Sequence, residues 1–533
     1  MASVKKAAGL ATLGLAAALA LTGCGSSTPS GNDKPTLIVG TTDRVATLDP
    51  AGSYDNGSYT VEIQGYQFLY GFKPGDVTPR PDAAESCEFS EPTVVQCKLK
   101  SGLKFANGHA LTASDVKFSY DRQVTINHPN GPASLLANLD WENPNRVEVV
   151  DELTVNFHLL AENDQTFLQV VASPVGPILD EEVFSPTELT PDDEIVSANA
   201  FSGPYTITSF KINDLITFAP YEAYNGVQGT VANGGITLKT YSEATNLKMA
   251  ITTGEIDVAY RSLTPTDITD LEKNYSDLTV HHGAGGEIRY IVFNFNTMPG
   301  DTPEQKLAVR QAIASTIDRA ELAATVYDDL YTPLCSWIPD GQAGANQAAC
   351  ETYPLDLTRA AQYLSDAGVT TPVTLDLQYN PDHYGTTSDQ EYARIKAQLD
   401  ASGLFTVNLQ STEWVTFAQE RVADVYPLYQ LGWFPDFPDP DNYLSPFFTA
   451  ENFIHNHFES TEIQDLIRQE STEGDHATRV RLLEQIQDLM AERYISTLPL
   501  LQGSSIAVAR NEVKGVDTTL DASFQFRYAS LSK

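Results

Sequence analysis

The strongest constraint on the fold is the alternation of strand-like and helix-like segments in the second half of the chain. Residues 288–297 (IRYIVFNFNT) form an apolar run typical of a strand, and residues 302–322 follow with a helical pattern. Residues 355–368 predict another helix, and residues 373–380 (VTLDLQYN) another strand. Strands that alternate with helices indicate an α/β fold.

Local capping signals support the predicted helices. Thr302 is placed as an N-cap, Pro303 occupies the first helical position, and Gln305 completes a capping box. In the first half, a helix is predicted to begin at Thr112, with Asp115 three residues later as a variant of the same box.

Length and charge restrict the class of protein. A chain of 533 residues is too long for one compact core, so two or more lobes are expected. There are 33 lysine and arginine residues against 70 aspartate and glutamate residues, a formal net charge of -37. A nucleic-acid backbone would be repelled by this charge, so nucleic acid is excluded as a partner, and the acidic residues are interpreted as a solvated surface.

The N-terminus has the pattern of an exported lipoprotein. Lys5 and Lys6 precede residues 7–23, which carry no charge, and this is typical of a secretory signal. The signal ends in LTGC, which resembles a bacterial lipobox with Cys24 as the lipidated residue. We expect residues 1–23 to be a lipoprotein signal peptide and residues 24–35 a flexible tether. The alternative is an ordinary cleaved signal with an incidental cysteine.

The remaining four cysteines suit an oxidising compartment. Cys87 and Cys97 flank two short predicted strands, whose pairing would place them opposite each other and allow a disulfide. Cys335 and Cys350 bracket a loop that a second disulfide would close. Free buried thiols are the alternative.

Five segments, spread over nearly the whole mature chain, carry a specific resemblance. They are KLKSGLKFANGHALTASDVKFSYDR (98–122), GEIDVAYRSL (254–263), LAVRQAIASTIDR (307–319), LTRAAQYLSDAG (357–368) and GWFPDFPDPDNY (432–443). Together they resemble the peptide- and nickel-binding class of extracellular solute-binding proteins, the capture subunits of ATP-driven importers.

The resemblance implies a periplasmic-binding-protein-like α/β fold, with two lobes that close on the ligand about a hinge. Lobe I would comprise residues 36–286 and 502–533, with a subdomain inserted at about 60–195, and lobe II residues 287–501. It further implies a monomer on the extracytoplasmic face of the cell membrane, held there by lipid, that delivers short peptides to ABC permease and ATPase subunits. No cofactor and no enzymatic activity are expected.

One proline-rich stretch, residues 432–448 (GWFPDFPDPDNYLSPFF), is predicted to form the ligand site. Its prolines exclude a regular helix or a central strand, so it must be a shaped loop. The resemblance implies that Asp436, a few residues after the Gly432-Trp433 pair, binds the α-ammonium group of a peptide. Trp433 and Phe434 would form an apolar wall that excludes solvent.

Other residues receive weaker assignments. Arg261 is a candidate to bind a ligand carboxylate, with a surface salt bridge as the alternative. Arg289 and Tyr290, which border the second expected crossover between the lobes, are further candidate ligand contacts. Asp439 and Asp441 are interpreted as caps of the following turn. The alternative for all three aspartates of the loop, Asp436 included, is a turn role on the surface.

Different ligands and a different class of protein remain open. The close histidine pairs, at 281–282 and 455–457, lack the additional ligands of a dedicated metal site, so no metal site is predicted, although a nickel complex stays possible as cargo. The 24 tyrosines and 4 tryptophans would also suit an oligosaccharide. A secreted hydrolase is disfavoured because neither HExxH nor GxSxG occurs.

Overall fold

The fold is known from a computed structural model, which describes residues 34–261, 263–385, 387–450, 452–523 and 525–533. The predicted signal peptide, Cys24 and most of the tether lie outside these residues. Residues 34–533 form one compact unit. Within the described residues, no helix is long and apolar enough to cross a membrane.

The strands of the described residues are β1 (Leu37–Thr41), β2 (Tyr70–Phe72), β3 (Pro79–Pro81), β4 (Ala84–Glu91), β5 (Val94–Leu99), β6 (Val147–Asp151), β7 (Thr154–His158), β8 (Tyr205–Lys211), β9 (Leu215–Pro220), β10 (Ile236–Thr240), β11 (Val258–Tyr260), β12 (Leu278–Gly283), β13 (Ile288–Phe293), β14 (Tyr331–Pro333), β15 (Val373–Tyr379), β16 (Phe405–Ser411), β17 (Leu428–Trp433), β18 (Thr497–Gly503) and β19 (Ser505–Arg510).

The α-helices are α1 (Asn56–Gly65), α2 (Ala113–Ile126), α3 (Phe167–Val170), α4 (Asp192–Ala198), α5 (Ala244–Thr253), α6 (Pro265–Asn274), α7 (Pro303–Ala314), α8 (Arg319–Val326), α9 (Ala348–Thr352), α10 (Leu357–Asp366), α11 (Ser388–Ala401), α12 (Trp414–Val422), α13 (Ser445–Phe448), α14 (Thr461–Thr472) and α15 (His476–Leu489), which continues as a π-helical turn (Met490–Tyr494).

Two large mixed sheets organise the chain, and the α/β prediction is confirmed. The seven-stranded sheet has the order β12-β19-β11-β1-β10-β9-β8, and the six-stranded sheet has the order β14-β18-β13-β17-β15-β16. We call the parts built on these sheets the first and the second lobe. The residue limits predicted for the lobes stay a prediction, because sheet membership assigns only the strands.

A smaller unit extends from the first lobe. Its four-stranded sheet has the order β4-β5-β7-β6, and β2 pairs with β3 beside it. Apolar residues between Leu69 and Ile178 form a core of their own there. Cys87 lies opposite Cys97 in the pairing of β4 with β5, and the two are joined by a disulfide. The second disulfide joins Cys335 to Cys350 in the second lobe.

Capping residues position several helices as the sequence predicts, with one exception. Thr112 and Asp115 form the expected capping box at the start of α2. Thr302 caps α7, but the Gln305 side chain accepts a hydrogen bond from the Asp301 N–H instead of closing a box with Thr302. The single helix predicted over residues 302–322 is wrong. It is broken into α7 and α8, because the Asp318 side chain caps a new helix start by accepting from the Glu321 N–H.

Two short segments connect the sheets. The chain passes from β12 to β13 through residues 284–287 and returns from β18 to β19 at residue 504. The segments run side by side: the Gly503 N–H donates to the Glu287 carbonyl at 2.9 Å, and Gln502 Nε2 donates to the Gly285 carbonyl at 2.9 Å. A Cβ on Gly285 would lie 1.4 Å from the Gly503 carbonyl oxygen. Only glycine permits this approach of two backbones.

We therefore expect Gly285→Ala to lower the free energy of unfolding by about 1–3 kcal/mol, because the added methyl group must push the two connecting segments apart. Gly474→Ala is the matched control, since no atom would lie within 4 Å of its Cβ. Urea unfolding of both variants measures the difference. Equal stabilities would show that the connection tolerates the displacement.

Candidate functional site

A cavity of about 1140 Å³ lies between the two lobes. Its wall is contributed by the loop after β1, the start of α1, the four-stranded unit and several loops of the second lobe. These residues include Asp43, Arg44, Tyr54, Asp55, Tyr59, Leu136, Leu139, Asp164, Phe167, Arg261, His383, Tyr384, Trp414, Gly432, Trp433, Phe434, Asp436, Asp441, Asn442, Phe453 and Ser471. The volume is ample for a ligand the size of a short peptide.

The proline-rich stretch forms one edge of this cavity and is a buried loop. It leaves β17 at Trp433, passes through a 3-10 turn (Pro440–Tyr443) and ends in α13. Asn442 organises it: its Oδ1 accepts from Trp433 Nε1 and from the Asp436 N–H, both at 2.9 Å. One amide side chain therefore sets the orientation of both the aromatic wall and the aspartate.

Asp436 is a buried carboxyl at the cavity wall, with 8% of its surface exposed. Oδ2 accepts from Asn442 Nδ2 at 3.1 Å, and Oδ1 accepts from the Tyr54 hydroxyl at 2.5 Å. Burial raises the pKa of Asp436 to about 6, against the opposing effect of these two hydrogen bonds. Among the described residues it forms no ion pair, so neutral donors alone contact this carboxyl.

The other two aspartates of the loop have structural partners. Asp439 caps the 3-10 turn and binds Arg479 through both oxygens, at 2.7 and 3.0 Å. Asp441 accepts a hydrogen bond from the Ser445 hydroxyl. Both are buried, so the surface-loop alternative does not describe them. The capping prediction is confirmed for Asp439, whereas Asp441 bonds to a side-chain hydroxyl and caps neither the turn nor α13.

The remaining predicted residues of the loop also reach the cavity. Trp433 and Phe434 line it, and Gly432 lies where a Cβ would be 2.9 Å from the Ile288 carbonyl oxygen of the neighbouring strand β13. The aromatic wall that was predicted from the sequence is thus in contact with the cavity, next to Asp436.

Arg261 belongs to the first lobe, lines the cavity and contacts this loop. Its guanidinium is 3.4 Å from Asp43 and lies over the Phe434 ring, 5.0 Å from the centroid. Arg261 has a positive φ of 61°, at the point where the chain leaves β11. The salt bridge that was the alternative interpretation is present, and the residue also lines the cavity.

Arg289 and Tyr290 are not brought to the cavity among the described residues. Arg289 is 3% exposed; it donates to Glu287 and to the Tyr384 carbonyl at 2.7 Å, and it lies over the Tyr384 ring. Tyr290 packs against Phe447, with ring centroids 5.6 Å apart. Both side chains lie inside the second lobe because every residue of β13 is buried between neighbouring strands and helices.

Several cavity residues carry no signal in the sequence. Tyr54 and Arg44 belong to a loop of the first lobe, whereas Leu136 and Asp164 come from the four-stranded unit, and only tertiary folding brings them to Asp436. Asn442 also lines the cavity, and its bonds to Trp433 and Asp436 position both residues.

The histidines were considered for metal binding. His457 Nε2 lies 2.6 Å from Asp424, and His281 Nδ1 lies 2.5 Å from Asp517. In the described part of the chain, one group has potential ligand atoms within 4.8 Å of one another: His109, Asp180 and Glu182. It lies outside the cavity wall, and Asp180 already accepts from Asn107 at 2.7 Å.

The sequence matches the family of bacterial extracellular solute-binding proteins, family 5, over residues 78–454. The chain belongs to this family. Glutathione-binding protein GsiB of Shigella flexneri serotype 5b is 24% identical over 548 residues, which cover 100% of both chains. The probable D,D-dipeptide-binding periplasmic protein DdpA of Escherichia coli K12 is 24% identical and covers 90% of this chain and 91% of its own.

A solved structure also shows the same fold. The periplasmic binding protein DppA of Helicobacter pylori, in complex with the peptide STSA, superposes with a TM-score of 0.74 at 20% identity, over 93% of this chain and 98% of its own. The predicted two-lobed architecture of this solute-binding protein is confirmed. The relatives are named as binding proteins, in agreement with a transport role instead of an enzymatic one.

Proposed function

We propose that this solute-binding protein captures short peptides in the cavity between its lobes, with the peptide α-ammonium group bound by Asp436. One observation carries the proposal: Asp436 is a buried carboxyl at the cavity wall that forms no ion pair with any described residue. A carboxylate without water and without a cation is costly, and a bound cation would remove that cost.

The neighbourhood of Asp436 suits an ammonium group. The Asp436 carboxylate can accept charge-assisted hydrogen bonds from the N–H groups of the ammonium. Asn442 already holds this carboxylate in place through a hydrogen bond to Oδ2. The rings of Trp433 and Phe434 line the cavity beside Asp436 and would shield a bound cation from water, and the Phe434 ring already has the Arg261 guanidinium over it. Enclosure between closed lobes would strengthen these contacts, because water no longer screens them.

The opposite terminus of a peptide would need a cation. The basic residues of the cavity wall are Arg44 and Arg261. Arg261 is bound to Asp43, whereas Arg44 is exposed and forms no ion pair with a described residue. We therefore assign a ligand carboxylate to Arg44 in the first place, with Arg261, which also lines the cavity, as a second positive charge.

The proposal also includes delivery of the bound peptide to a membrane permease. The family resemblance supports transfer of the peptide to an ABC permease that is driven by ATPase subunits. The signal and lipobox pattern that ends at Cys24 supports a lipid anchor on the extracytoplasmic face of the membrane. The names of relatives that bind glutathione and a D,D-dipeptide, and the neighbour solved with a peptide, support a peptide-like cargo.

The decisive experiment is native mass spectrometry of residues 25–533, purified without a denaturing step. A ladder of peptide masses on the protein is the expected result, because enclosed ligands dissociate slowly. A hexose series would instead assign an oligosaccharide, and a nickel-containing mass would assign a metal complex. Either of these would overturn the peptide proposal while leaving the family membership intact.

Asp436→Asn is expected to weaken peptide binding by about 2–5 kcal/mol, because the enclosed ammonium loses its opposite charge. Asp376→Asn is the control, since this aspartate is exposed on β15, outside the cavity wall, and accepts a hydrogen bond from Asn408. Calorimetric titration with trialanine measures both. An isotherm unchanged by Asp436→Asn would remove this residue from the site.

Peptide affinity is expected to fall about tenfold between pH 7 and pH 5, because a carboxyl with a pKa of about 6 is largely protonated at pH 5. The carboxylate binds the ammonium, so the affinity is present above pH 6 and lost below it. The phenols of Tyr54, Tyr59 and Tyr443 have raised pKa values and stay neutral in this window.

Two further groups do not obscure this pH profile. Loss of hydration, assisted by the charges of Arg289 and Arg261, lowers the pKa of His383 to about 4. A peptide α-ammonium group titrates near pH 8 and stays charged below pH 7. Titrations with trialanine at each pH should show the fall in the wild type and its absence in Asp436→Asn. A flat wild-type profile would contradict the assignment.

A further inference from the structure

Tyr54 connects the two lobes directly at the proposed cation site. It lies between a 3-10 turn (Pro50–Gly52) and α1 in the first lobe, and its hydroxyl donates to Asp436 Oδ1 of the second lobe at 2.5 Å. The two residues are 382 positions apart in the chain. With 41% of its surface exposed, the Tyr54 side chain is not held by core packing.

We propose that Tyr54 is the second residue of the cation site, contributed by the opposite lobe, and that its hydrogen bond to Asp436 couples cation binding to closure of the cavity. The proposal rests on the proposed function for the identity of the ligand. The cross-lobe bond itself can be tested without any ligand.

The hydrogen-bonding capacity of both groups supports this role. A phenol that donates its proton to a carboxylate keeps two lone pairs, so the Tyr54 oxygen can accept an N–H from the same ammonium that Asp436 binds. Asp436 Oδ1 also keeps a lone pair for that ammonium. A cation placed there would contact both lobes at once, and opening the cavity would break its contact with Tyr54 together with the Tyr54–Asp436 hydrogen bond.

Other contacts between the lobes differ from the Tyr54–Asp436 bond in the groups that make them. A second hydrogen bond crosses between the four-stranded unit and the second lobe, where the Gln165 N–H donates to the Ser471 carbonyl at 2.8 Å. That bond is made by backbone atoms and does not involve the ligand-facing carboxyl. Arg261 of the first lobe also contacts the second lobe, through the Phe434 ring. Among these contacts, the Tyr54 bond is the one made to the carboxyl that is proposed to bind the cation.

The chain offers a matched control. Tyr241, also in the first lobe, donates its hydroxyl to Glu255 Oε1 at 3.1 Å, outside the cavity wall. Tyr241→Phe removes the same chemical group from the same kind of partner. Any effect of Tyr54→Phe that Tyr241→Phe does not reproduce therefore reports on the cross-lobe contact.

The first measurement is small-angle X-ray scattering of ligand-free residues 25–533. Tyr54→Phe should have a larger radius of gyration than the wild type and Tyr241→Phe. The radius of gyration of Asp436→Ala should increase by the same amount. That of the double variant should increase no further, because both substitutions remove the same hydrogen bond. An unchanged radius for Tyr54→Phe, or additive expansion in the double variant, would overturn the coupling.

The second measurement is the affinity for trialanine. Tyr54→Phe should bind about three- to tenfold more weakly than the wild type, the range expected for one lost hydrogen bond, while Tyr241→Phe binds normally. Unchanged affinity in Tyr54→Phe would overturn the inference even if the wild type binds peptides. A wild type that carries no peptide in native mass spectrometry would refute the proposed function, and the scattering result would then decide about Tyr54 alone.

Discussion

The pair of connecting segments between the sheets is the constraint on which the rest of the structure depends. Gly285 and Gly503 bring two backbones into direct contact, and the hydrogen bonds of Gln502 and Glu287 hold them together. Because the chain crosses between the sheets only at these two places among the described strands, the lobes share a narrow connection. A narrow connection permits the lobes to rotate about it, and the cavity lies where they face each other.

At this cavity, stability and binding place opposite demands on one side chain. Some buried acids of this protein are paired with arginine, as Asp49 is with Arg122 and Asp439 with Arg479. Others accept from neutral groups, as Asp82 does from the Tyr224 hydroxyl and two backbone N–H groups. Asp436 also has neutral donors, and burial raises its pKa to about 6; it differs from Asp82 in lying at the cavity wall, where a ligand can reach it. A buried carboxylate without a cation partner costs stability in the empty protein, and a ligand cation that pairs with it would gain affinity from the same interaction.

The candidate site could be predicted in part because one segment carries much of it. Gly432, Trp433, Phe434 and Asp436 are close in sequence, and the prolines around them indicate a shaped loop. The assignments of Arg289 and Tyr290 had no comparable support. A position next to a crossover does not tell which way a strand residue points, and β13 is covered on both faces. Tyr54 was missed because a lone tyrosine before a helix has no distinguishing pattern.

The sequence by itself determined the α/β class, the family resemblance, the cysteine partners and most capped helix starts, because these depend on local periodicity, spacing and hydrogen bonds between near neighbours. It did not determine the break between α7 and α8, since a capping residue inside a continuous helical pattern competes with propagation of the helix. Only the tertiary structure decided that Tyr54 contacts Asp436 and that Arg289 is buried behind Tyr384, outside the cavity wall. Those outcomes depend on how two sheets, joined by two short segments, place distant loops against each other.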